Sequence, residues 1–505
     1  MAREQLTNVD TALLRLEDPT NPMMITGAII FKDPVDFERL KETIGCCLLS
    51  IERFQQKVVW SRLGLVHPHW EEDPNFDFNY HLQRTILPKP GDQAALQKLV
   101  SLLASTPLDF SRPLWQFHLV EEYGDGSALV CRIHHSIADG MALVHVILSM
   151  TECDPNDPLS KKQQEFPSIP SLDPLDSFLQ PARDSFFATR RAVDAQLRKS
   201  REILANPNRV HELSTTGRDA ATEIGKLIML EHDPDTVLRG KLGTSKKAAW
   251  SAAVPLDDIK TIRRRLGGTV NDVLLTTMTG ALRHYMQARG DSVDNISIRA
   301  AVPVNLRPPG KEAELSNRMG AIFLSLPVGI ADPTQRLHEL ERRMNGHKGS
   351  MQAPLIYHLL NALGMAPGKI ANSLINIFGH MATVVMTNVK GPQEQLYLAG
   401  SPIETMMFFV PSTGRLGVGV SILSYAGEVR LGVITDERLV PDPENIIAAF
   451  HAEFHSLHTL ALEVEEQISF EAISLKLDDA IHKLDSMIEN GAAVQADAGV
   501  DQHTS

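Results

Sequence analysis

Apolar and polar positions in the first part of the chain follow the two periods expected of helices and strands. Continuous or alternating apolar runs predict strands, and apolar residues spaced three and four apart predict helices. The predicted elements are a strand over 22–31, helices over 36–54 and 94–105, two strands over 113–135 and a buried helix over 140–150. Gly124 and Gly126 predict the turn between the two later strands. We therefore predict a compact α/β domain over residues 1–150.

The pattern breaks after this point and then returns. Residues 151–176 are rich in Pro, Asp and Ser with little periodicity, and the charged segment that follows has helical spacing, so a linker with crossover helices is predicted over 151–240. A second α/β domain is predicted over 241–480. Its predicted elements are helices over 257–268 and 270–290 and strands over 296–306, 319–329, 382–389, 405–411, 416–427 and 428–435. Residues 487–505 are predicted to be a disordered tail.

Composition narrows the class of protein. With 505 residues, 43% hydrophobic and 22% charged, the chain has the balance of a globular protein with more than one domain. The formal charge of −13 argues against nucleic acid as a partner, because a phosphate backbone selects basic surfaces. The four cysteines, Cys46, Cys47, Cys131 and Cys153, form no CxxC pair, so neither a disulfide framework nor a zinc ribbon is indicated.

The same features predict where the protein works. The first ten residues lack the apolar core of a secretory signal, and no run reaches the roughly 20 apolar residues needed to span a bilayer. Reduced cysteines fit the cytoplasm. We therefore predict a cytoplasmic protein whose contact with the inner face of a membrane or with a lipid droplet is peripheral.

The chemistry-bearing motif is IHHSIADG at residues 133–140. A metal site is disfavoured, because adjacent strand residues point to opposite faces and His134 and His135 cannot easily share one ion. Ordinary core packing is the usual role of a buried histidine. This pair, however, ends an apolar strand just before a turn and a helix, where functional groups collect. One histidine would then face the core and the other a cleft, where a neutral imidazole can take a proton from a hydroxyl near pH 7.

A catalytic histidine does not by itself define the reaction. No GxSxG sequence is present, which weakens the case for a hydrolase with a serine nucleophile. The base would then act directly on a substrate hydroxyl in a ternary complex, without a covalent intermediate.

HHSIADG also matches the HHxxxDG motif of the coenzyme-A-dependent acyltransferase superfamily, which includes chloramphenicol acetyltransferase and the condensation domains of peptide synthetases. Over about residues 5–475 the sequence resembles the bacterial wax ester synthase/acyl-CoA:diacylglycerol acyltransferase family. The matching stretches, in order, are LTNVDTALLRLEDPTNPMMITGAIIF, PLDFSRPLWQFHLVE, HHSIADG, GTVNDVLLTTMTGALRHYM, VPVNLR, TNVKGP and SYAGEVRLGVITD.

The resemblance implies an α/β (α+β) fold of two chloramphenicol-acetyltransferase-like domains with the active-site tunnel between them. It implies that His135 is the general base, which removes the proton of a diacylglycerol or fatty alcohol hydroxyl so that the oxygen attacks the acyl-CoA thioester. By the same resemblance His134 is of lesser importance, and Asp139 is chiefly structural and pairs with an arginine that the sequence does not identify. Acyl-CoA is then a substrate, and neither a cofactor nor a metal is expected.

Further site residues follow from the resemblance. Gly140 is expected at a turn where a side chain would crowd the cleft. Ser412 and Thr413 are candidate donors to the thioester oxyanion. Two motifs either support the site or contact substrate: Pro113, Leu114 and Trp115 of PLW, and Asn271 and Asp272 of ND. Asn388 and Gly391 of TNVKGP are expected to shape the cleft from the second half of the chain.

The sequence leaves two points open. The apolar stretch 356–386 suits either the lining of an acyl tunnel, contact with lipid, or a pair of buried core helices. Two other functions also share the motif or the fold. One is a condensation-type enzyme that joins carrier-bound acyl groups, although no carrier domain is evident in the chain, and the other is a non-catalytic lipid-binding protein.

Overall fold

The computed structural model describes residues 4–60, 67–154, 232–308, 315–347, 350–365, 379, 381–411, 416–466 and 481–483. Its helices are α1 (Asn8–Leu16), α2 (Phe37–Cys47), α3 (Phe78–His81), α4 (Gln93–Ser105), α5 (Gly140–Ser149), α6 (Leu256–Leu266), α7 (Val270–Ala288), α8 (Pro333–Gly346), α9 (Gln352–Met365) and α10 (443–466), with a 3₁₀ turn at Glu52–Gln55. Its strands are β1 (Glu4–Gln5), β2 (Met24–Phe31), β3 (Gln56–Val59), β4 (His69–Glu72), β5 (Leu82–Ile86), β6 (Trp115–Tyr123), β7 (Gly126–His134), β8 (Thr151–Glu152), β9 (Lys246–Trp250), β10 (Val254–Pro255), β11 (Ile298–Asn305), β12 (Met319–Leu326), β13 (Val384–Lys390), β14 (Tyr397–Leu398), β15 (Ser401–Phe409), β16 (Val418–Tyr425) and β17 (Glu428–Asp436).

Seven of the described strands form a sheet in the N-terminal half, in the order β5-β6-β7-β2-β15-β14-β8. β7, which ends at His134, lies between β6 and β2 and pairs antiparallel with both. It is buried along almost its whole length, as expected of a strand covered on both faces. The sheet therefore holds the end of β7, and the histidines that follow, in a fixed position.

A second group of seven described strands forms the sheet of the C-terminal half. Its order is β10-β17-β16-β13-β11-β12, and β9 also pairs with β17. The central strands β11, β13 and β16 run parallel to one another, and antiparallel strands lie at both edges. Helices α6, α7 and α8 and strands of this sheet contribute buried side chains to one continuous apolar core.

β15 joins the two halves. It comes from the C-terminal part of the sequence, yet it pairs antiparallel with β2 of the N-terminal sheet, with Met407 opposite Ala28 and Phe409 opposite Thr26. The predicted second domain, 241–480, therefore does not keep all its strands in its own sheet. The apolar side chains of α1 and α9 pack together in a smaller core between the halves, which ties them further.

The predicted elements of the first half are confirmed in type, and most bounds agree within two residues. The exception is the helix predicted over 36–54, which ends at Cys47 and is followed by the 3₁₀ turn. Gly45, Cys46 and Cys47 are weak helix formers, which accounts for the early end. Most of the predicted linker, 155–231, and the predicted tail, 487–505, lie outside the described residues.

Candidate active site

The site is built where β7 ends and α5 begins. β7 ends at His134, the next residues turn, and α5 begins at Gly140. Asp139 is the N-cap of α5, since its carboxylate accepts a hydrogen bond from the backbone N–H of Ala142 at 3.1 Å. The predicted strand, turn and helix around the motif are thereby confirmed, and His135 is the first residue beyond the strand.

Hydrogen bonds fix the backbone of His135 and one of its two ring nitrogens. Its backbone N–H donates to the carbonyl oxygen of Met23 at 2.8 Å, and its ring Nδ1 lies 3.1 Å from Oδ1 of Asn317. The side-chain amide of Asn317 donates to Asp10 Oδ1 at 2.7 Å and to the carbonyl oxygen of His135 at 2.8 Å. The remaining ring nitrogen, Nε2, is therefore the one available to a substrate.

Burial sets the charge of His135. The side chain is 7% exposed, and burial lowers its pKa below the ordinary value for histidine. The Asp139 carboxylate opposes this shift and raises the pKa, whereas His134 lowers it. The net direction is downward, so the imidazole is neutral near pH 7, as a general base must be.

His134 lies on the other side of the chain and makes different contacts. It pairs with Met24 across the sheet, and its Nδ1 accepts hydrogen bonds from the hydroxyl of Ser136 at 2.7 Å and from the backbone N–H of Ser136 at 3.0 Å. Its Nε2 lies 3.4 Å from the Glu17 carboxylate, and the ring meets Phe110 edge to face. These contacts hold the His134 ring against the turn and the residues around it, which favours a structural role.

The arginine partner of Asp139 is Arg307, which follows β11. Arg307 Nη1 lies 2.6 Å from one carboxylate oxygen of Asp139 and 2.7 Å from the other, and both residues are buried. The backbone N–H of Arg318 donates to the same carboxylate at 3.2 Å. The C-terminal half therefore fixes the turn that follows His135.

A cavity of about 210 Å³ opens beside His135 between the two halves. Most of its walls are apolar, and the polar side chains along it are His135, Asp139, Asn305, Thr387 and Asn388. The apolar lining includes Leu13, Leu16, Met23, Ile25, Met319, Phe323, Ile356, Leu360, Val385 and Phe408. We call this space the main cavity, and its composition suits an apolar chain with a few polar groups at one end.

A smaller cavity of about 80 Å³ adjoins the main cavity and shares Ile25, Gly140 and Phe408 with it. It runs between α5 and the N-terminal sheet, and its lining includes Cys131 and Leu148. We call it the side cavity. Gly140 thus stands where the two spaces meet.

The PLW residues lie outside both cavity linings. Leu114 and Trp115 are fully buried, the Trp115 indole N–H donates to the Phe54 carbonyl oxygen at 2.7 Å, and the carbonyl oxygen of Leu114 accepts from the backbone N–H of His134 at 2.9 Å. Pro113 precedes them and is also buried. This placement favours support of the motif strand over contact with substrate.

The ND and TNVKGP residues meet in the C-terminal half. Asp272 and Thr269 form a capping box at the start of α7. Asn271 accepts a hydrogen bond at 3.0 Å from Asn388, which lines the main cavity. Gly391 lines the side cavity, and a Cβ there would lie 2.4 Å from the carbonyl oxygen of Ser424, so no larger residue fits.

The expectation for Gly140 needs correction. It is the first residue of α5 and not a turn residue, and an added Cβ would meet only the end of the Ile25 side chain, at 4.0 Å. Neither its backbone nor the space around it therefore requires glycine, although it lines both cavities. Ser412 and Thr413 lie outside the described residues.

Sequence reasoning missed the residues that reach the motif from far along the chain. These are Asp10, Arg307 and Asn317, together with Asn305 and Thr387 in the main cavity. Asp10, Asn305, Arg307 and Thr387 fall in stretches that match the family, but no local spacing indicates which of their side chains meets His135 or Asp139.

The apolar stretch 356–386 is only partly described. Residues 352–365 form α9, whose Ile356 and Leu360 line the main cavity, and 384–390 form β13, so the alternative of two core helices is wrong for that strand. None of the helices in the described ranges is long and apolar enough to cross a membrane. Nor do three or more His, Cys, Asp or Glu side chains among these residues group as metal ligands would.

Comparisons with known proteins bear on this site. A sequence profile described as the wax ester synthase/diacylglycerol acyltransferase catalytic domain matches residues 6–274, and a WS/DGAT C-terminal domain profile matches residues 315–458. The chain is 25% identical over 473 residues to a putative diacylglycerol O-acyltransferase of Mycobacterium tuberculosis strain CDC 1551 / Oshkosh, covering 87% of each protein. It is 26% identical to a probable diacylglycerol O-acyltransferase, tgs2, of strain ATCC 25618 / H37Rv, over 89% of this chain and 97% of that one.

Solved structures confirm the fold. The wax ester synthase/diacylglycerol acyltransferase from Marinobacter aquaeolei VT8 superposes with a TM-score of 0.62 at 23% identity, covering 90% of this chain and 99% of that one. The first condensation domain of the calcium-dependent antibiotic synthetase superposes with a TM-score of 0.57 at 14% identity, covering 91% and 96%. The predicted fold of two chloramphenicol-acetyltransferase-like domains is therefore confirmed. Because the two family profiles together cover most of the sequence, the chain belongs to the wax ester synthase/diacylglycerol acyltransferase family and is an acyltransferase.

Proposed function

We propose that the protein transfers a long-chain acyl group from acyl-CoA to the hydroxyl of diacylglycerol or of a fatty alcohol, with His135 as the general base. The observation that carries this proposal is the pairing of a buried, neutral His135 with an apolar cavity between the halves. The diacylglycerol acceptor is supported by the names of the mycobacterial relatives, and the alcohol by the name of the family.

The reaction proceeds through a ternary complex. His135 Nε2 takes the proton of the acceptor hydroxyl while its oxygen attacks the thioester carbonyl carbon, which forms a C–O bond and a tetrahedral oxyanion. Collapse of this intermediate breaks the C–S bond, and the proton on His135 passes to the departing sulfur of coenzyme A. The ester and free coenzyme A are the products, and His135 returns to its neutral form.

The other residues act around this step. Asp139 holds the turn through Arg307, and His134 supports the strand end. Gly140 lies where the two cavities meet, and Gly391 lets the backbone approach the carbonyl oxygen of Ser424. Asn388, held by Asn271, faces the main cavity. Ser412 and Thr413 stay candidate oxyanion donors. No metal and no cofactor takes part in the proposed chemistry, in which acyl-CoA is a substrate.

Purified protein, palmitoyl-CoA and either hexadecanol or dioleoylglycerol test the proposal, with release of the coenzyme A thiol followed and the ester identified by mass. We expect release that depends on an added acceptor. Release with only one acceptor would assign that acceptor. No acceptor-dependent release with either would contradict the proposal, and equal release without any acceptor would indicate a thioesterase.

The likeness to a condensation domain supports one alternative, in which the acyl donor is bound to a carrier protein. Replacing palmitoyl-CoA by a palmitoyl carrier protein in the same assay separates the two. We expect acyl-CoA to be the better donor, and a strong preference for the carrier-bound acyl group would favour the alternative.

We also propose that the protein contacts a membrane or lipid droplet peripherally, because its acceptors and products reside there. Met365, at the end of α9, is 60% exposed although this helix lines the main cavity. Flotation with dioleoylglycerol-containing vesicles should carry the protein upward, reversibly at a raised pH or salt concentration. Protein that stays at the bottom with every vesicle composition would contradict the contact.

A further inference from the structure

Asn317 and Asp10 are neither part of the motif nor in the cavity lining, yet both lie in the hydrogen-bond chain that ends on His135. We propose that they are positioning residues, which fix the proton of His135 on Nδ1 and thereby leave Nε2 as the base. The proposal rests on the proposed function of His135.

The orientation of the Asn317 amide follows from its neighbours. One end lies 2.7 Å from an Asp10 carboxylate oxygen and 2.8 Å from the carbonyl oxygen of His135. Both neighbours are acceptors, so this end must be the NH₂ group with its two donors. The reversed amide would place its oxygen against two other oxygens at hydrogen-bond distance. Both donors are therefore used, and the amide cannot turn without losing two hydrogen bonds.

The fixed amide decides the tautomer of His135. Its oxygen lies 3.1 Å from Nδ1, and a carbonyl oxygen can only accept. The proton of the neutral imidazole must then be on Nδ1, which leaves the lone pair on Nε2. The opposite tautomer would carry its proton on Nε2 and present no base to a hydroxyl.

Asp10 holds Asn317 and is itself held at the start of α1. Its second carboxylate oxygen accepts from the backbone N–H of Thr7 at 3.3 Å, and the Thr7 hydroxyl accepts from the backbone N–H of Asp10 at 3.1 Å. Thr7 and Asp10 thus form the capping box of α1. Asp10 is only 2% exposed, so contacts with other residues, and not with bulk water, hold its carboxylate in place.

The chain crosses between the halves of the molecule. Asp10 and His135 belong to the N-terminal half, whereas Asn317 lies two residues before β12, 182 residues after His135. The base is therefore complete only when the halves are assembled. The other titratable or charged groups that face His135 are His134 and Asp139, and Arg307 offsets the Asp139 charge.

An exchange of the two side chains tests the proposal. In Asp10→Asn/Asn317→Asp the amide of residue 10 can donate to the new carboxylate at 317, and that carboxylate still accepts from His135 Nδ1. The variant loses the hydrogen bond that Asn317 donates to the carbonyl oxygen of His135, so we expect it to be less stable than the wild type. The negative charge beside the imidazole favours its protonated form, so the acidic limb of the kcat/KM profile should move to higher pH while the transferase stays active. The limb would stay in place if residue 317 did not contact the histidine that acts as the base.

Asn317→Leu provides the second measurement. It keeps the side-chain size but removes the acceptor, and kcat for acyl transfer should fall roughly 10- to 100-fold, the usual effect of removing the partner that orients a functional imidazole. KM for palmitoyl-CoA should change little, because Asn317 does not line the cavity. Ser251→Ala is the matched control, since it removes a buried side chain that accepts from the Leu431 backbone N–H far from the motif.

The outcomes separate this proposal from that of the base itself. Inactive wild-type protein would count against the proposed function. Active wild type, with full kcat in Asn317→Leu or an unmoved acidic limb in the exchange variant, would overturn the positioning role alone. Thermal midpoints of all variants are measured together, and if Asn317→Leu does not fold, the pH profile of the exchange variant decides.

Discussion

His134 and His135 are neighbours of the same residue type, and their surroundings differ in almost every respect. His134 accepts at Nδ1 from the hydroxyl and the backbone N–H of Ser136, so it carries its proton on Nε2, towards Glu17. His135 donates from Nδ1 to Asn317 and keeps Nε2 unprotonated. The two rings are therefore opposite tautomers. His135 lines the main cavity and His134 does not.

The two histidines differ in which half of the molecule supplies their contacts. The contacts of His134 come from its own half, within the motif and from the N-terminal residues Glu17 and Phe110. Those of His135 and Asp139 reach into the C-terminal half, to Asn317 and Arg307. Contacts within the N-terminal half hold His134, whereas contacts across the halves hold His135, the proposed base, beside the main cavity.

The largest expected effect is the loss of the base. His135→Ala should lower kcat for acyl transfer by roughly 10²- to 10⁴-fold, the usual contribution of a general base, because no other group then accepts the hydroxyl proton. Turnover of palmitoyl-CoA with each acceptor measures it, with circular dichroism as the check on folding. Unchanged turnover in a folded variant would remove His135 from the mechanism.

The next largest effect concerns the buried ion pair between Arg307 and Asp139, which fixes the turn that follows His135. Arg307→Met leaves the Asp139 carboxylate buried without its cation, which should cost roughly 3–5 kcal/mol in the free energy of unfolding. Urea unfolding of both proteins measures the difference. Arg84→Met is the matched control, because Arg84 pairs with Glu121 on the surface, where solvent screens the attraction, so its loss should change stability far less. Equal effects of the two variants would show that the Asp139 pair has no special weight.

The sequence pattern predicted that one histidine of the pair faces the core and the other a cleft, and the resemblance to the family assigned the role of base to His135. Alternation along a strand places His134 and His135 on opposite sides, and the turn and helix after them were predicted from local pattern, so this part of the site was accessible without a structure. The same holds for the two α/β halves, whose strands and helices follow from apolar spacing within about ten residues.

The support of the base was not accessible, because it depends on contacts between distant positions. Arg307 lies 168 residues from Asp139, and Asn317 lies 182 residues from His135. Neither position differs in local pattern from an ordinary polar residue after a strand or in a loop. The placement of β15 in the N-terminal sheet is of the same kind, since its apolar pattern predicts a strand but not the sheet it joins.

Removing His134 should affect stability more than catalysis. His134→Ala leaves the buried hydroxyl and backbone N–H of Ser136 without their acceptor, which should cost roughly 1–3 kcal/mol in the free energy of unfolding. We expect kcat of the folded variant to fall by less than tenfold, as the ring does not line the cavity. His134→Asn should recover part of the stability, because its amide oxygen can replace Nδ1. A loss of kcat as large as that of His135→Ala would contradict the structural role.

The smallest expected effect is the contribution of His135 to the pH dependence of the free energy of unfolding. Burial lowers its pKa in the folded state below that in the unfolded chain, so below the unfolded value of about 6.5 the unfolded state binds more protons and stability falls as the pH falls. The loss continues until the pH passes the folded-state pKa, with a slope of at most about 1.4 kcal/mol per pH unit for one proton. His135→Gln keeps the size of the side chain and removes the proton, so its free energy of unfolding, measured in urea from pH 7 downward, should fall less steeply than that of the wild type. His118, whose pKa is lowered to about 4 by burial, titrates in both proteins and cancels in the difference. Parallel curves would mean that the pKa of His135 is the same in the folded and unfolded states, and the lowering of its pKa by burial would be wrong.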